Sequence, residues 1–335
     1  MVCLVTGAAG FIGYHMCQRL LHEGHQVYGL DNLNAYYSVD LKQKRLARLE
    51  CHPGFKFFKT DLADQAGVEA VFSHAPITQI IHLGAQAGVR YSLENPRAYV
   101  QSNLVGFFNV LEAARAAKVQ HFVFASTSSV YGSNQQMPFS TSHLTDHPVS
   151  FYAATKKSNE VLAHSYASMH GLPVTGLRFF TVYGPWGRPD MALWLFTQAI
   201  LNKQPITLYD EGQLKRDFTY IDDIIEAMWR VLQKPPLANP AYDYLRPDPA
   251  TSDAPYAVFN IGNHQPVRVK DLVVLLEEAL GQKAHIRFAP LQTGDVRATF
   301  ADIDPLTQRT GFTPQTPLAV GVKNFVAWYK EFYAQ

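Results

Sequence analysis

Cysteine is scarce in this sequence, and neither sign of charge is in excess. Its 335 residues include three cysteines, Cys3, Cys17 and Cys51, and their spacing matches neither a metal site nor a redox pair. We expect all three to be small, mostly apolar residues in a reducing compartment. The net charge of +1 excludes a generally basic surface for nucleic acid or membrane. The thirteen histidines show no ligand spacing either, so we predict no metal.

Long apolar stretches are missing too. None reaches the ~18 consecutive apolar residues of a membrane helix, and the first residues enter a predicted strand without room for a signal peptide. Together with the cysteines, this predicts a cytoplasmic protein. The length, and the 47% of hydrophobic residues, are enough for one large α/β unit and a smaller lobe.

A glycine-rich turn opens the chain. Val2 to Thr6 is a predicted strand, Gly7 to Gly13 follows with the sequence GAAGFIG, and a helical pattern continues to Gly24. Strand, glycine turn and helix are the context in which backbone N–H groups bind a pyrophosphate. The spacing is G-x-x-G-x-x-G rather than G-x-G-x-x-G, and a simple tight turn is the alternative. Asp31, at the end of the second strand, favours a dinucleotide because its carboxylate suits ribose hydroxyls; it would repel a 2′-phosphate, so we predict NAD rather than NADP.

Strands and helices then alternate as a doubly wound parallel sheet requires. We predict a Rossmann-type α/β fold in which residues 1–178 form the cofactor-binding domain, with returns near 215–235 and 300–310. Residues 179–335 are expected to form mainly a smaller C-terminal α/β lobe for the substrate, interleaved with the first domain. A long helix is expected to begin at Asn103, and the proline-rich residues 235–255 are expected to form a loop.

Four hydroxyl residues, 126–129, cap the predicted fifth strand, at the edge where parallel sheets bind ligands. Tyr152 and Lys156 follow and, being four apart, lie on one helix face. A free phenol has a pKa of about 10, and a nearby cation that lowers it would make a base for a sugar hydroxyl. A polar turn and a solvated helix face are the alternatives, since Tyr-x-x-x-Lys is a short pattern. The dinucleotide turn upstream favours the catalytic interpretation.

Longer motifs extend this pattern across the chain. They are Ala85 to Pro96 (AQAGVRYSLENP), Leu177 to Ala192 (LRFFTVYGPWGRPDMA) and Lys215 to Asp223 (KRDFTYIDD). With the glycine turn, the hydroxyl cluster and the Tyr–Lys pair, the chain resembles the extended short-chain dehydrogenase/reductase family, and within it the UDP-glucuronate 4-epimerases. The resemblance covers nearly the whole chain. Gly84 departs from the family, which more often has alanine there.

The resemblance implies a tightly bound NAD+ that is reduced and reoxidised within one turnover while UDP-glucuronate is inverted at C4 to UDP-galacturonate. Tyr152 is the implied base for the 4-hydroxyl, and Thr127 is the proton-relay hydroxyl. Lys156 is expected to hold the nicotinamide ribose and to lower the tyrosine pKa. Besides Tyr152 and Lys156, the implied cofactor contacts are Gly7, Gly10, Phe11, Ile12, Gly13, Asp31, Asn32, Asp61, Leu62, Leu83, Gln86, Asn103 and Ser126.

Ser129 bears on the choice between related reactions, because a 4-keto glucuronate readily loses carbon dioxide. The related decarboxylases carry glutamate at this position, and the 4,6-dehydratases carry an Asp-Glu pair where this chain has Ser128 and Ser129. Two serines cannot supply the acid and base of a dehydration. We expect these hydroxyls, with Thr181, to hold the substrate carboxylate in the plane of the ketone, where the breaking bond overlaps poorly with the carbonyl.

Cations for the anionic substrate must come from local arginines, because the net charge is near zero. The resemblance implies that Arg216 binds the diphosphate and that Asp295 binds the uridine ribose. Arg188, in the Gly-Arg-Pro motif, is predicted to face the nucleotide or the sugar. Arg90 suits a carboxylate or a phosphate, with a structural ion pair as an equal alternative.

The sequence leaves three functions open. The first is the 4-epimerisation; the second is decarboxylation of UDP-glucuronate or 4-epimerisation of another UDP-hexose. The third is a non-catalytic NAD-binding sensor, which is disfavoured because the tyrosine, the lysine and the hydroxyl are all present. Family analogy also implies a homodimer through the long helices near 95–117 and 149–170.

Overall fold

The computed structural model describes residues 1–291 and 296–334. Through the first half of the chain, strands and helices alternate as β1 (Val2–Thr6), α1 (Phe11–His22), β2 (Gln26–Asp31), α2 (Val39–Glu50), β3 (Phe55–Lys59), α3 (Gln65–Ser73), β4 (Gln79–His82), α4 (Tyr91–Glu94), α5 (Pro96–Tyr99), α6 (Gly106–Ala116), β5 (His121–Thr127), α7 (Phe151–His170) and β6 (Val174–Phe179). A π-helical turn, Val100–Val105, joins α5 to α6, and a 3-10 turn, Ser128–Tyr131, follows β5.

The second half of the chain contains shorter elements. They are β7 (Thr181–Tyr183), α8 (Ala192–Leu201), β8 (Pro205–Tyr209), β9 (Lys215–Tyr220), α9 (Ile221–Leu232), β10 (Tyr256–Ile261), β11 (Pro266–Arg268), α10 (Val269–Leu280), β12 (His285–Ala289), α11 (Asp304–Thr310) and α12 (Leu318–Ala334).

The central layer is a seven-stranded sheet in the order β10-β6-β5-β4-β1-β2-β3, and every neighbouring pair is parallel. Both faces are covered, as parallel sheets require. Side chains alternate along β1: Cys3 and Val5 pack with residues of α1, α2 and α9, whereas Leu4 packs with residues of α3, α6 and α7. The predicted Rossmann-type fold is confirmed.

The smaller sheets lie in the second half of the chain. Strands β11, β9 and β7 form a three-stranded sheet, and β12 pairs with β8 in parallel. Trp194 on α8 and Phe325 on α12 belong to the same core cluster as Cys3 and Val5. The two halves therefore share one continuous core.

Two elements differ from the sequence predictions. Strand β10 joins the edge of the large sheet beside β6, although this return was not among the expected ones, because pairing between distant strands leaves no local signal. The helix expected to begin at Asn103 begins earlier, at Pro96, where Asn95 accepts a hydrogen bond from the Ala98 N–H at 3.3 Å. The π-helical turn interrupts the 3.6-residue period there, which explains the late start predicted from periodicity.

The remaining expectations on the fold concern loops and cysteines. Residues 235–255 form turns and bends, as predicted. Cys3 and Cys17 are buried and unpaired, and Cys51 is exposed and unpaired. Over the described ranges, no helix has both the length and the apolar character needed to cross a membrane.

Candidate active site

A cavity of about 450 Å³ opens at the carboxyl ends of the parallel strands, where the strand order reverses between β1 and β4. Asn32 and Asp61 are joined there by a hydrogen bond of 2.8 Å from Nδ2 to Oδ2. The predicted site residues that line the cavity are Gly7, Gly10, Phe11, Ile12, Gly13, Asp31, Asn32, Asp61, Leu62, Leu83, Gln86, Ser126, Thr127, Ser128, Ser129, Tyr152, Lys156, Thr181 and Arg188.

The glycine turn leaves room for a bulky anion. A Cβ on Gly13 would lie 2.1 Å from the Gly7 carbonyl oxygen, and a Cβ on Gly10 would lie 2.9 Å from it, so side chains are excluded from both positions. Helix α1 begins at Phe11 without a side-chain cap and without an acidic residue in its first turn. Its first N–H groups therefore suit a pyrophosphate, and these residues fit a dinucleotide.

Asp31 ends β2 and faces the same cavity. Its Oδ2 accepts a hydrogen bond from the Ala9 N–H at 3.1 Å, and its Oδ1 accepts one from the Leu33 N–H at 2.8 Å. Burial raises the pKa of this carboxyl, while these backbone N–H groups and the charges of Lys42 and Arg45 lower it. The carboxylate is thus oriented by the glycine turn, at the end of the cavity that suits an adenosine ribose.

Tyr152 and Lys156 are placed by the start of α7. Ser150 caps this helix by accepting a hydrogen bond from the Ala153 N–H at 3.1 Å. Lys156 Nζ donates to the Ala125 carbonyl at the end of β5, at 2.8 Å. Burial lowers the pKa of Lys156 to about 8, and the charge of Glu160 opposes this effect. The ammonium is therefore charged at neutral pH and held against β5 at the cavity wall.

The pKa of Tyr152 depends on its burial and on the polar groups around the phenol. Burial of the phenol raises the pKa of Tyr152, and this outweighs the charge of Arg188 and a hydrogen bond with Thr127, which both lower it. The ammonium of Lys156, the group predicted to lower this pKa, donates to the Ala125 carbonyl. The positive charge of Arg188 lowers the pKa of Tyr152, which is the effect that the sequence predicted for Lys156.

The hydroxyl cluster follows β5. Thr127 Oγ1 accepts from the Ser129 N–H at 3.2 Å and donates to Ser129 Oγ at 3.3 Å, which orders the 3-10 turn. Ser126 lines the cavity, but its hydroxyl donates to Glu160 at 2.6 Å and is thereby engaged. Among the described residues of the cavity wall, the acids are Asp31 and Asp61, and neither belongs to this cluster. The wall beside Tyr152 can therefore bind anionic oxygens but offers no carboxylic acid.

Arg188 brings a positive charge into the cavity. Its Nε and Nη2 donate to the two oxygens of Asp190, at 3.0 and 2.5 Å, and Tyr36 donates its hydroxyl to Asp190 at 3.1 Å. Burial alone would lower the pKa of the guanidinium, but the Asp190 carboxylate raises it above its ordinary value. Arg188 and Tyr152 line the same cavity, so both can contact a substrate bound there.

Three predicted residues that the structure describes are not at the cavity wall. Asn103 bonds both the N–H and the carbonyl of Gln86, at 2.8 and 3.0 Å, so it supports a wall residue from behind. The Arg90 guanidinium lies 5.6 Å above the ring of Tyr209, and Arg216 lies on β9, outside the wall. Asp295 lies outside the described residues.

Several polar wall residues were not predicted from the sequence; they are Asn34, Tyr36, Tyr37, Lys42, Thr60 and Ser102. Lys42 Nζ donates to the backbone carbonyl and the side-chain oxygen of Asn34, at 2.7 and 2.8 Å. The sequence of α2 contains six charged residues, and a lysine among them is ordinarily solvated. The signal that was available is position, because the loop after β2 must pass the carboxyl end of the sheet.

Comparisons with known proteins agree with this geometry. The chain matches the sequence model of the NAD dependent epimerase/dehydratase family over residues 3–244. It is 55% identical to an uncharacterised 37.6 kDa protein of Escherichia coli O111:H-, over 99% of each chain. It is 48% identical to a protein named probable UDP-glucuronate 4-epimerase in Rhizobium meliloti, over 98% of this chain and 97% of that one. The solved UDP-glucuronic acid 4-epimerase of Bacillus cereus, in complex with UDP-glucuronic acid and NAD, superposes with a TM-score of 0.88 at 32% identity, covering 99% of this chain and all of that one.

Proposed function

The chain belongs to the NAD-dependent epimerase/dehydratase family, and we propose that it interconverts UDP-glucuronate and UDP-galacturonate by inverting C4 of the sugar. The observation that carries the proposal is Tyr152 beside Thr127, Ser128 and Ser129, on a wall where the described acids lie elsewhere. Relatives with the name of this activity, and a solved one that holds both NAD and UDP-glucuronic acid, support it. The protein is thus an isomerase that depends on NAD.

The cofactor site consists of the glycine turn and the carboxyl ends of β2, β3 and β4. The first turn of α1 would hold the pyrophosphate, and Asp31 would accept the adenosine ribose hydroxyls. Lys42 is directed into Asn34 rather than into open space, which agrees with NAD rather than NADP. NAD+ held by these residues would supply the hydride acceptor and donor for inversion at C4.

Proton transfer is the work of Tyr152. The phenol would take the proton of the 4-hydroxyl during oxidation and return it to the 4-keto group during reduction. Thr127, whose side chain hydrogen-bonds the phenol, would relay that proton and orient the sugar oxygen. Lys156, charged at neutral pH and held by Ala125, would fix the nicotinamide ribose. Between the two steps the 4-keto sugar must rotate within the cavity, so that its opposite face meets the nicotinamide.

The substrate carboxylate needs partners that suppress its loss. Ser128, Ser129 and Thr181 line the wall with hydroxyls, and Arg188 adds a charge-assisted donor. We assign these four residues to the carboxylate and the neighbouring sugar oxygens. Held in the plane of the ketone, the carboxylate has poor overlap between its breaking bond and the carbonyl, so decarboxylation is slowed.

The nucleotide would extend beyond the cavity wall towards the second half of the chain. We retain Arg216 as the partner of the diphosphate and Asp295 as the partner of the uridine ribose. Arg90 is kept as a further phosphate or carboxylate contact, and Asn103 and Ser126 as residues that support the cofactor. The division into residues 1–178 and 179–335 is likewise part of the proposal.

A homodimer and a cytoplasmic location complete the proposal. Large apolar side chains are exposed on the two helices that the sequence analysis selected, with Phe108 on α6 at 46%, and Val161 and Met169 on α7 at 59% and 65%. Helices α6 and α7 are in contact and bury their other faces in the same core cluster, so an interface could cover both helices. Three unpaired cysteines suit a reducing compartment.

The test is proton NMR of the purified protein with UDP-glucuronate, first without and then with added NAD. An anomeric signal of UDP-galacturonate is the expected result, and its appearance without added NAD would show that the cofactor is carried along. A pentose product with release of carbon dioxide would replace the proposal by decarboxylation. No change in either mixture, while a neutral UDP-hexose is converted, would reassign the substrate; no change with any of these sugars would favour an NAD-binding sensor.

A further inference from the structure

Three consecutive backbone carbonyls of the segment before Arg188 accept hydrogen bonds from the other half of the chain. His15 on α1 donates from Nε2 to the Pro185 carbonyl at 3.0 Å. Arg45 on α2 donates from Nη2 to the Trp186 and Gly187 carbonyls, at 2.6 and 2.9 Å. His15 and Arg45, here called the carbonyl clamp, thus hold residues 185–187 against the cofactor-binding half.

Arg45 is an unusual residue to find in this place. It is fully buried, and its remaining hydrogen bonds join Nη1 to the Ala9 carbonyl in the glycine turn and to the Tyr37 hydroxyl, both at 2.9 Å. Its Nε is buried without a partner among the described atoms. A buried guanidinium that meets mostly dipoles, and is incompletely satisfied, costs stability. Its contacts therefore call for an explanation beyond packing.

The clamped segment is one that would not hold its conformation unaided. Trp186 has a φ of 60° and Gly184 a φ of 148°, and the positive φ is unfavourable for a bulky residue such as tryptophan. Arg188 follows directly, and it carries the charge that acts on Tyr152. Release of the carbonyls at 185–187 would let the turn relax and would move the Arg188 guanidinium relative to the reacting tyrosine.

We propose that Arg45 and His15 are positioning residues, which hold the turn at 185–187 so that Arg188 points at the substrate beside Tyr152. Arg45 contacts the glycine turn of the cofactor site and the turn of the substrate arginine with the two nitrogens of one planar group. It thereby sets the spacing between the two sites. The role rests on the proposed function of Arg188.

Lysine cannot replace Arg45 in this role. Its ammonium is a point charge on a flexible chain, and it lacks the planar fork that reaches Ala9 on one side and Trp186 with Gly187 on the other. His15→Leu keeps a side chain of similar bulk but removes the hydrogen bond to the Pro185 carbonyl. These two changes therefore break the clamp from two different helices.

The first experiment is a double-variant cycle on turnover of UDP-glucuronate at saturating NAD. Arg45→Lys should lower kcat/KM about 10-fold, the effect of losing one or two hydrogen bonds, and Arg188→Met should lower it by more. If Arg45 acts through Arg188, the double variant should stay within about 2-fold of Arg188→Met alone. Multiplication of the two single effects would overturn the proposal.

The second experiment needs no turnover. Amide hydrogen exchange of the peptide covering 184–192 should be about 5-fold faster in Arg45→Lys than in the parent protein at saturating NAD. Gln43→Met, at an exposed position two residues earlier on α2, should leave this peptide unchanged. Unchanged exchange in Arg45→Lys would also overturn the proposal.

His15→Leu gives both measurements a second route if Arg45→Lys does not fold. The same non-additivity with Arg188→Met and the same faster exchange are expected, and their absence counts against the clamp. If the parent protein fails to epimerise UDP-glucuronate, the proposed function fails. The exchange experiment then still decides whether the clamp holds the turn.

Discussion

The pKa values of single residues in the site are set by burial and by the neighbouring groups that oppose its effect. Lys156 stays protonated near neutral pH although burial lowers its pKa to about 8. Burial also raises the pKa of Tyr152, and Arg188 with Thr127 counters part of that effect. The phenol thus begins the reaction as a neutral hydroxyl whose deprotonation is assisted from two sides.

Replacing Tyr152 by phenylalanine tests the proton-transfer step. Tyr152→Phe should leave NAD binding intact and lower turnover of UDP-glucuronate at least ~100-fold, the lower end of the contribution of a general base. The measurements are the NAD content of the purified variant and its kcat by NMR. Turnover like that of the parent would remove Tyr152 from the mechanism.

Replacing Lys156 by methionine tests the energetic cost of the buried charge. The pKa is lowered from 10.5 to about 8 in the folded protein, so the unfolded chain binds the proton more tightly. The burial therefore costs stability fully below about pH 8, and the cost disappears as the pH rises towards 10.5. At pH 7 the inactive Lys156→Met should melt higher than the parent, by about 2–5 °C.

The gap in melting temperature between the parent and Lys156→Met should narrow between pH 8 and 10.5. Thermal unfolding across that range measures it. Lys157→Met is the matched control. Lys157 is the next residue along α7, but its ammonium donates a hydrogen bond to Thr145 and it is not part of the cavity wall. A lower melting point of Lys156→Met at pH 7 would contradict the argument.

At the scale of elements, one buried ion pair ties together the three pieces that carry the site. Glu160 on α7 receives two hydrogen bonds from Arg178 on β6, at 2.8 and 2.9 Å, and one from Ser126 on β5. Both partners are almost fully buried. Helix α7 is therefore locked in register with the strands beneath it, and Tyr152 and Lys156 are placed by that register.

Replacing Glu160 by glutamine should be strongly destabilising. The change leaves the Arg178 charge buried without its partner, which costs about 3–5 kcal/mol of the free energy of unfolding. Denaturant unfolding is the measurement. Asp271→Asn is the matched control, because its bidentate pair with Arg268 is half exposed and should matter far less. Equal losses in the two variants would show that burial is not the cause.

At the scale of the whole molecule, the substrate arginine and the dinucleotide turn come from opposite halves of the chain but share one core. Strand β10 returns to the edge of the large sheet, and α9 and α11 pack back onto the same half. The cavity is thus bordered by residues of both halves. The proposed rotation of the 4-keto sugar would therefore take place in a largely preformed cavity.

A charge placed on the exposed face of α7 tests the proposed homodimer. Val161→Glu should convert a dimer of the parent protein into a monomer, because an unpaired carboxylate would be buried at the interface. Size-exclusion chromatography with light scattering measures the mass. Leu195→Glu, at an exposed apolar position on α8, should leave the dimer intact. A monomeric parent protein would end the proposal.

Features that depend on local patterns could be predicted from the sequence alone. The glycine turn, the start of α1 and the Tyr–Lys spacing each need only neighbouring residues, since backbone conformation and helix period act over a few positions. The fold class followed because alternating strands and helices have few packing solutions. Asp31 was also accessible, because the carboxyl end of a parallel strand is a fixed place in such folds.

Contacts between groups that are distant in the sequence could be learned only from the folded structure. Lys42 and Arg45 lie on a helix whose polar positions look solvated in sequence, yet one lines the cavity and the other is fully buried. The charge of Arg188 lowers the pKa of Tyr152 although the two residues are far apart in the chain, because burial and distance in space set electrostatic effects. Contacts between α2, the glycine turn and residues 185–187 join positions far apart in the chain, and no local pattern records them.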